Sequence, residues 1–183
     1  MKRAKLAAFL AAFLFLNALS AQSQEPEAEA KILHLQTEGK TREAQVLRGG
    51  DGKTGLLYYG MGEYQALWLS SDALAALQKA AQKHSERFES RRLARGKDNA
   101  TRCAYGKTQA FLEWGPSRQG LSRSAAAPLF MGYVFVKNSP YFLLSAPSVQ
   151  NEAGQESPAF KNSAPVTLLF TRAQLQAFLR AAE

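Results

Sequence analysis

The chain contains few of the residues from which metal centres and disulfide frameworks are built. It has one cysteine and two histidines among 183 residues, which are too few for a zinc cluster or a set of disulfides. The acidic residues are scattered singly, and no calcium-loop spacing occurs among them. We therefore expect no metal site and no cofactor.

Signatures of catalysis are missing as well. The chain has no Gly-x-Ser-x-Gly elbow and no Ser-x-x-Lys pair. The segment RGGDGKT lacks the first glycine of a phosphate-binding loop because Leu47 occupies that position, so we predict a glycine-containing hairpin turn instead. No catalytic residue can be named, and we expect a protein without enzymatic activity.

Two pairs of residues that are distant in sequence leave a hydrolase as an alternative function. Cys103 could meet His34 or His84, and Glu63 could meet Glu113 as a glycosidase pair. The patterns favour structural roles for these residues. Cys103 is predicted to be buried in a strand, with an intermolecular disulfide or a reactive thiol as the alternatives.

No apolar run is long enough to cross a bilayer as a helix. The run LAAFLAAFLFL spans residues 6–16, whereas a membrane-spanning helix needs about 20 residues. It follows three basic residues and precedes small residues near Ala21, which is typical of a signal peptide over residues 1–21. We predict a periplasmic or extracellular protein, with an uncleaved anchor as the alternative. It is not a lipoprotein, because no cysteine lies at the cleavage point.

The rest of the chain has the composition of one folded domain. Hydrophobic residues make up 46% and charged residues 21%, which excludes a disordered or collagen-like chain. The acidic segment QSQEPEAEA predicts a flexible linker over residues 22–30, and residues 31–183 form a single predicted domain. Short apolar runs separated by turn residues indicate antiparallel strands, and those of the second half are predicted over residues 102–114, 129–137 and 140–145. Trp68 and Trp114 are expected in the core, whereas Tyr58 and Tyr59 fit either a core or an exposed stacking surface.

Two stretches have helical periodicity. The first extends from Asp72 to about Ala94, with its apolar face at Leu74, Leu77, Ala81, His84 and Phe88, and the second begins at Arg172. We predict an α+β fold in which an antiparallel β-sheet of about seven or eight strands is packed on one face by two helices. The two strand-to-helix passages match at an offset of 101 residues, which fits either a duplicated β-meander-plus-helix unit or a chance similarity.

The strongest functional signal is a row of cations on the first helix. The net charge of the chain is +8, and five basic residues recur at every fourth position, namely Lys79, Lys83, Arg87, Arg91 and Arg95. Glu86 and Glu89 are placed to pair with Lys83 and Arg92 and to relieve part of the repulsion. The row is either a solvated face or an anion-binding surface for lipid headgroups, a glycan, nucleic acid or an acidic protein. No specific nucleic-acid motif accompanies it.

These features predict an exported, non-enzymatic binding module whose basic helix contacts an anionic partner. A hydrolase assembled from scattered residues is one alternative. A carrier that holds a small ligand in a sheet-lined pocket is the other.

Overall fold

The computed structural model describes residues 32–37, 39–90, 93, 100–119, 121, 123–151 and 161–183. The predicted signal peptide, 1–21, and linker, 22–30, lie outside the described residues. The strands and helices in chain order are β1 (Ile32–Thr37), β2 (Lys40–Arg48), β3 (Thr54–Gly60), β4 (Glu63–Leu69), α1 (Ser71–Glu89), β5 (Ala100–Gly115), β6 (Arg123–Val136), β7 (Ser139–Ala146), β8 (Val166–Phe170) and α2 (Arg172–Ala182).

The strands form one antiparallel sheet in which each strand pairs with the next along the chain. The sheet closes on itself because β1 also pairs with β8, through Gln36 and Leu169. Each half of the described chain has four strands followed by a helix. The α+β architecture predicted from the sequence, an antiparallel sheet packed against two helices, is confirmed.

One hydrophobic core joins the sheet to the helices. Buried side chains from every strand and from both helices belong to a single cluster. On the strands they follow the two-residue period of a β-strand, as Leu67 and Leu69 do on β4. The face that these residues share is therefore the one against which α1 and α2 pack.

Both helices begin at a hydroxyl-bearing cap. Ser70 and Thr171 have nearly the same backbone angles, φ −67° with ψ 168° and φ −67° with ψ 165°. Each side chain accepts a hydrogen bond from the backbone N–H three residues later, at 3.2 Å in both cases. Such caps satisfy amides that the first helical turn leaves unpaired. The predicted equivalence of these two positions is present in the structure.

Helix α1 is shorter than the sequence predicts. It ends at Glu89 rather than near Ala94, with Ser90 as its C-cap. The Ser90 N–H and hydroxyl both donate to the Glu86 carbonyl, at 3.0 and 2.7 Å. Leu77, Ala81 and His84 are buried as predicted. Phe88 is 37% exposed, with the Arg172 guanidinium 4.8 Å from its ring centre.

Strand β6 begins earlier than predicted, at Arg123 rather than near Leu129. Residues before Phe130 pair with β5 alone, and β7 joins only from Phe130 onward. Pro128 therefore lies in a part of the strand where a missing N–H costs little. A proline in an alanine-rich segment hid this strand from sequence reasoning.

Cys103 corrects another prediction, since it is exposed rather than buried. The β5–β6 register shifts between Thr101 and Gly106, and such a bulge breaks the simple alternation of inward and outward side chains. Arg102 and Cys103 are both exposed as a result. Strand periodicity alone could not show this.

The aromatic side chains near the β3–β4 hairpin divide between core and surface. Trp114 and Tyr58 are buried, whereas Tyr59 is 39% exposed. Trp68 is half-buried and lies over Gly55, where an added Cβ would sit 2.7 Å from its ring. Its indole N–H donates to Glu113 Oε2 at 2.8 Å, so the ring is fixed across three strands.

The segment RGGDGKT is the predicted hairpin turn between β2 and β3. Gly52 has a φ of +76°, and its N–H donates to the Gly49 carbonyl at 3.1 Å. No described helix is long and apolar enough to span a membrane.

Candidate functional site

Three of the five predicted anion-binding residues form an exposed row on α1. Lys79, Lys83 and Arg87 are exposed and lie at every fourth position of the helix. Arg91 and Arg95 follow the end of α1 and lie outside the described residues. We call Lys79, Lys83 and Arg87 the basic face of α1.

The acidic neighbours of the basic face are bonded elsewhere. Glu86 accepts a hydrogen bond from Gln82 at 3.0 Å, whereas the sequence predicted that it would pair with Lys83. Glu89 pairs with Arg172 of α2 at 2.6 Å. Within the part of the chain that the structure describes, Lys79 and Lys83 make no salt bridge. Among the described residues, the charge of the basic face is therefore uncompensated at these two positions.

Arg87 is the one cation of the basic face with a partner from the sheet. Its guanidinium lies 5.4 Å from the ring centre of Tyr105 on β5. A cation over an aromatic ring gains electrostatic stabilisation of up to about 1 kcal/mol at an exposed site. This contact orients Arg87 without neutralising its charge.

The other flank of α1, roughly half a helical turn away, faces a cavity of about 240 Å³ between the two helices. Ala81, Leu175 and Leu179 supply its apolar lining, and Gln78, Gln82 and Gln176 contribute amide groups. His84, Ser85 and Arg172 also line it. It is a helix-lined cavity rather than the sheet-lined pocket considered from the sequence.

His84 connects this cavity to the core of the sheet. Its side chain is 1% exposed, and Nδ1 lies 2.8 Å from the Tyr105 hydroxyl. The rings of Tyr105 and Phe142 each stand edge-on to it, with centres 5.5 Å away. Nε2, the second ring nitrogen, is buried and has no hydrogen-bond partner among the described residues.

Burial keeps both members of this pair uncharged. The pKa of His84 is lowered to about 4, chiefly by burial and also by the nearby positive charge of Arg172. Burial also raises the pKa of the Tyr105 phenol well above its usual range, although Arg87 opposes part of this effect. The imidazole and the phenol are therefore both neutral at neutral pH.

A neutral imidazole carries its proton on one of its two nitrogens, and the partner of Nδ1 indicates which tautomer fits. The Tyr105 hydroxyl has one proton, and among the described residues His84 Nδ1 is the acceptor within its reach. When Tyr105 donates to Nδ1, the imidazole proton is on Nε2. Nε2–H is then a buried donor without an acceptor.

Arg172, the first residue of α2, supplies a second donor of this kind. Its Nη2 donates to Glu89 at 2.6 Å and to the Ser85 hydroxyl at 2.9 Å. Its Nε is buried and, among the described residues, has no hydrogen-bond partner. Sequence reasoning placed Arg172 at a helix start and His84 on an apolar face, and no local signal linked residues so distant along the chain.

The scattered pairs considered for hydrolysis are placed differently. The cavity contains His84, whereas Cys103 is exposed on β5. Glu63 accepts from the Ala164 N–H at 2.7 Å, and Glu113 accepts from Trp68. Over the described ranges, no cluster of three or more His, Cys, Asp or Glu residues could hold a metal ion.

Comparisons with known proteins place the chain in a family. No curated protein and no solved structure matches it. The family model described as "Uncharacterised Treponema protein" matches residues 15–183. Because this range covers most of the 183 residues, the chain belongs to that family.

Proposed function

We propose that the protein is an exported, non-enzymatic binding module that contacts an anionic partner through the basic face of α1. The observation that carries this proposal is the uncompensated charge of Lys79 and Lys83. The acidic side chains in the last turns of α1, Glu86 and Glu89, bond to Gln82 and Arg172 instead.

Electrostatics supports a role in binding rather than in folding. Like charges four residues apart on a helix destabilise it by a few tenths of a kcal/mol per pair. An anionic surface placed against the basic face would replace this repulsion by attraction. The bond between Glu89 and Arg172 also draws a carboxylate toward α2, away from the exposed cations.

Two parts of the proposal concern residues outside the described ranges. Arg91 and Arg95 continue the basic sequence beyond α1 and would extend the contact. The basic and apolar sequence of residues 1–21 would direct export to a periplasm or beyond. In that compartment, lipid headgroups, anionic glycans and acidic proteins are the available classes of partner.

The test replaces the three described cations of the basic face. A triple variant with Lys79→Gln, Lys83→Gln and Arg87→Gln is compared with the wild type for retention on phosphatidylglycerol vesicles and on heparin. We expect wild-type retention that weakens as salt rises, and loss of retention in the variant. Its thermal midpoint should be unchanged or higher, because repulsion is relieved.

A matched variant separates local from overall charge. Lys40, Lys137 and Lys161 are exposed lysines outside α1, and replacing all three with Gln lowers the net charge equally. This control should remain bound. Equal retention of the α1 variant and the wild type would overturn the proposal. Equal loss of retention in the α1 variant and the control would show that binding depends on net charge alone. Vesicle-only or heparin-only retention identifies the partner class.

A further inference from the structure

The cavity between the helices has a chemistry that the basic face does not use. It lies on the flank of α1 that faces α2, and two buried nitrogen atoms of its lining residues, His84 Nε2 and Arg172 Nε, have no hydrogen-bond partner among the described residues. A buried donor without a partner destabilises the folded protein, and native structures satisfy nearly all such groups. A group that brings acceptor oxygens into the cavity would remove this cost.

We infer that this cavity binds a small organic carboxylate with a short apolar tail. The carboxylate oxygens accept hydrogen bonds from His84 Nε2–H and Arg172 Nε–H, and the tail packs against Ala81, Leu175 and Leu179. The site is separate from the basic face and does not depend on the proposed function.

The donors select for an anionic oxygen group. A neutral imidazole protonated at Nε2 and a guanidinium both donate, and neither can accept from a ligand ammonium. The Arg172 charge strengthens a hydrogen bond to a carboxylate. Glu89 neutralises Arg172 only in part, since its carboxylate side chain is 64% exposed, against 34% for the arginine, and solvent screens it.

The apolar side of the cavity selects for a tail, and its volume limits the size. Leu175 belongs to the core cluster, and Leu179 is half-buried and packs against that cluster, so this side of the lining is apolar and an inorganic anion would make no favourable contact with it. A volume of about 240 Å³ is below the roughly 300 to 1,000 Å³ of pockets for drug-sized ligands. A fragment-sized aliphatic carboxylate therefore fits the cavity.

Hexanoate, hexanamide and hexylammonium are matched probes because they share a tail and differ in head group. Titration of the isotope-labelled protein followed by amide and imidazole NMR reports where each one binds. We expect saturable binding of hexanoate that shifts the His84 Nε2 resonance and the amides of Ala81 and Leu175. Hexanamide should bind more weakly, and hexylammonium should not bind.

Variants test the two halves of the site separately. Arg172→Met should weaken hexanoate binding about tenfold or more, whereas Arg180→Met, an exposed change on the same helix, should not. Leu179→Trp keeps both donors and fills the cavity, so it should also abolish binding. This second variant keeps the test valid if loss of Arg172 disturbs the packing of α2.

Two results would overturn the inference. One is no saturable shift at His84 with hexanoate in a protein whose spectrum shows it folded, which would mean that solvent satisfies the donors. The other is equal binding of hexanoate and hexylammonium. The triple variant of the basic face should bind hexanoate as the wild type does, so failure here and failure of the proposed function are distinguishable.

Discussion

Helical periodicity predicted that His84 is buried, but the sequence around it did not predict its protonation state. The sequence places it on the apolar face of α1, and the structure buries it there. Burial keeps its imidazole neutral, and the guanidinium of Arg172 on α2 favours the same state. The Tyr105 hydroxyl on β5 lies at Nδ1, and neither residue is near His84 in sequence.

The lowered pKa predicts how stability depends on pH. In the unfolded chain His84 titrates near its ordinary value of 6.5, and in the folded protein near 4. The unfolded state therefore binds more protons between these values, so the stabilisation is complete above about pH 6.5 and is lost as pH falls toward 4. We expect His84 to account for a loss of about 1 to 3 kcal/mol on acidification to about pH 4.

The measurement compares the free energies of unfolding of wild type and His84→Gln by urea denaturation from pH 7 to about pH 4. The difference between the two proteins cancels the carboxylates that they share. This difference in the free energy of unfolding should narrow as pH falls. A difference that stays constant over this range would mean that His84 does not titrate in it.

At the scale of elements, α2 depends on a residue from the other half of the chain. Arg48, at the end of β2, donates to the carbonyl of Ala181 at 2.8 Å and also to that of Ala182. These carbonyls lie in the last turn of the helix, where no further helical N–H can reach them. The guanidinium charge also complements the helix dipole at this end.

Arg48→Met should therefore destabilise the protein by about 1 to 2 kcal/mol. Amide exchange in the last turn of α2 should accelerate before exchange elsewhere. Lys40→Met is the matched control, because Lys40 is exposed on the same strand. If both variants unfold at the same urea concentration, the contacts of Arg48 with α2 contribute nothing to stability.

At the scale of the whole molecule, the two halves repeat the same order of elements but share one core. Leu67 on β4 and Leu168 on β8 are equivalent at the offset of 101 residues, and both are 0% exposed. Strand pairs β4–β5 and β1–β8 join the halves at both edges. The structure thus provides no boundary at which one half could unfold alone.

Leu67→Ala and Leu168→Ala should each cost about 2 to 5 kcal/mol. Each variant should unfold in a single transition, with circular dichroism and tryptophan fluorescence changing together. Leu47→Ala, a half-buried position on β2 outside the core cluster, should cost less. Two separate transitions in either core variant would show that the halves are independent.

Residue types and short-range patterns were sufficient to predict much of the fold. Turn residues and short apolar runs predicted the strands of the first half, helical periodicity predicted both helices, and the fold class followed. The predictions from the sequence were wrong at three places. Helix α1 ended at its cap Ser90, earlier than predicted, Pro128 obscured the start of β6, and the β5 bulge exposed Cys103.

The sequence by itself determined the composition of the core and the spacing of the cations on α1, since both follow from periods of two and 3.6 residues. The tertiary structure alone decided the partners of those residues. It bonded Glu86 to Gln82 and turned Glu89 toward Arg172, so that Lys83 has no salt bridge among the described residues. It also brought His84 and Arg172 to one cavity from positions 84 and 172. Periodicity shows which face of an element is buried, whereas pairing across elements depends on the packing of the whole chain.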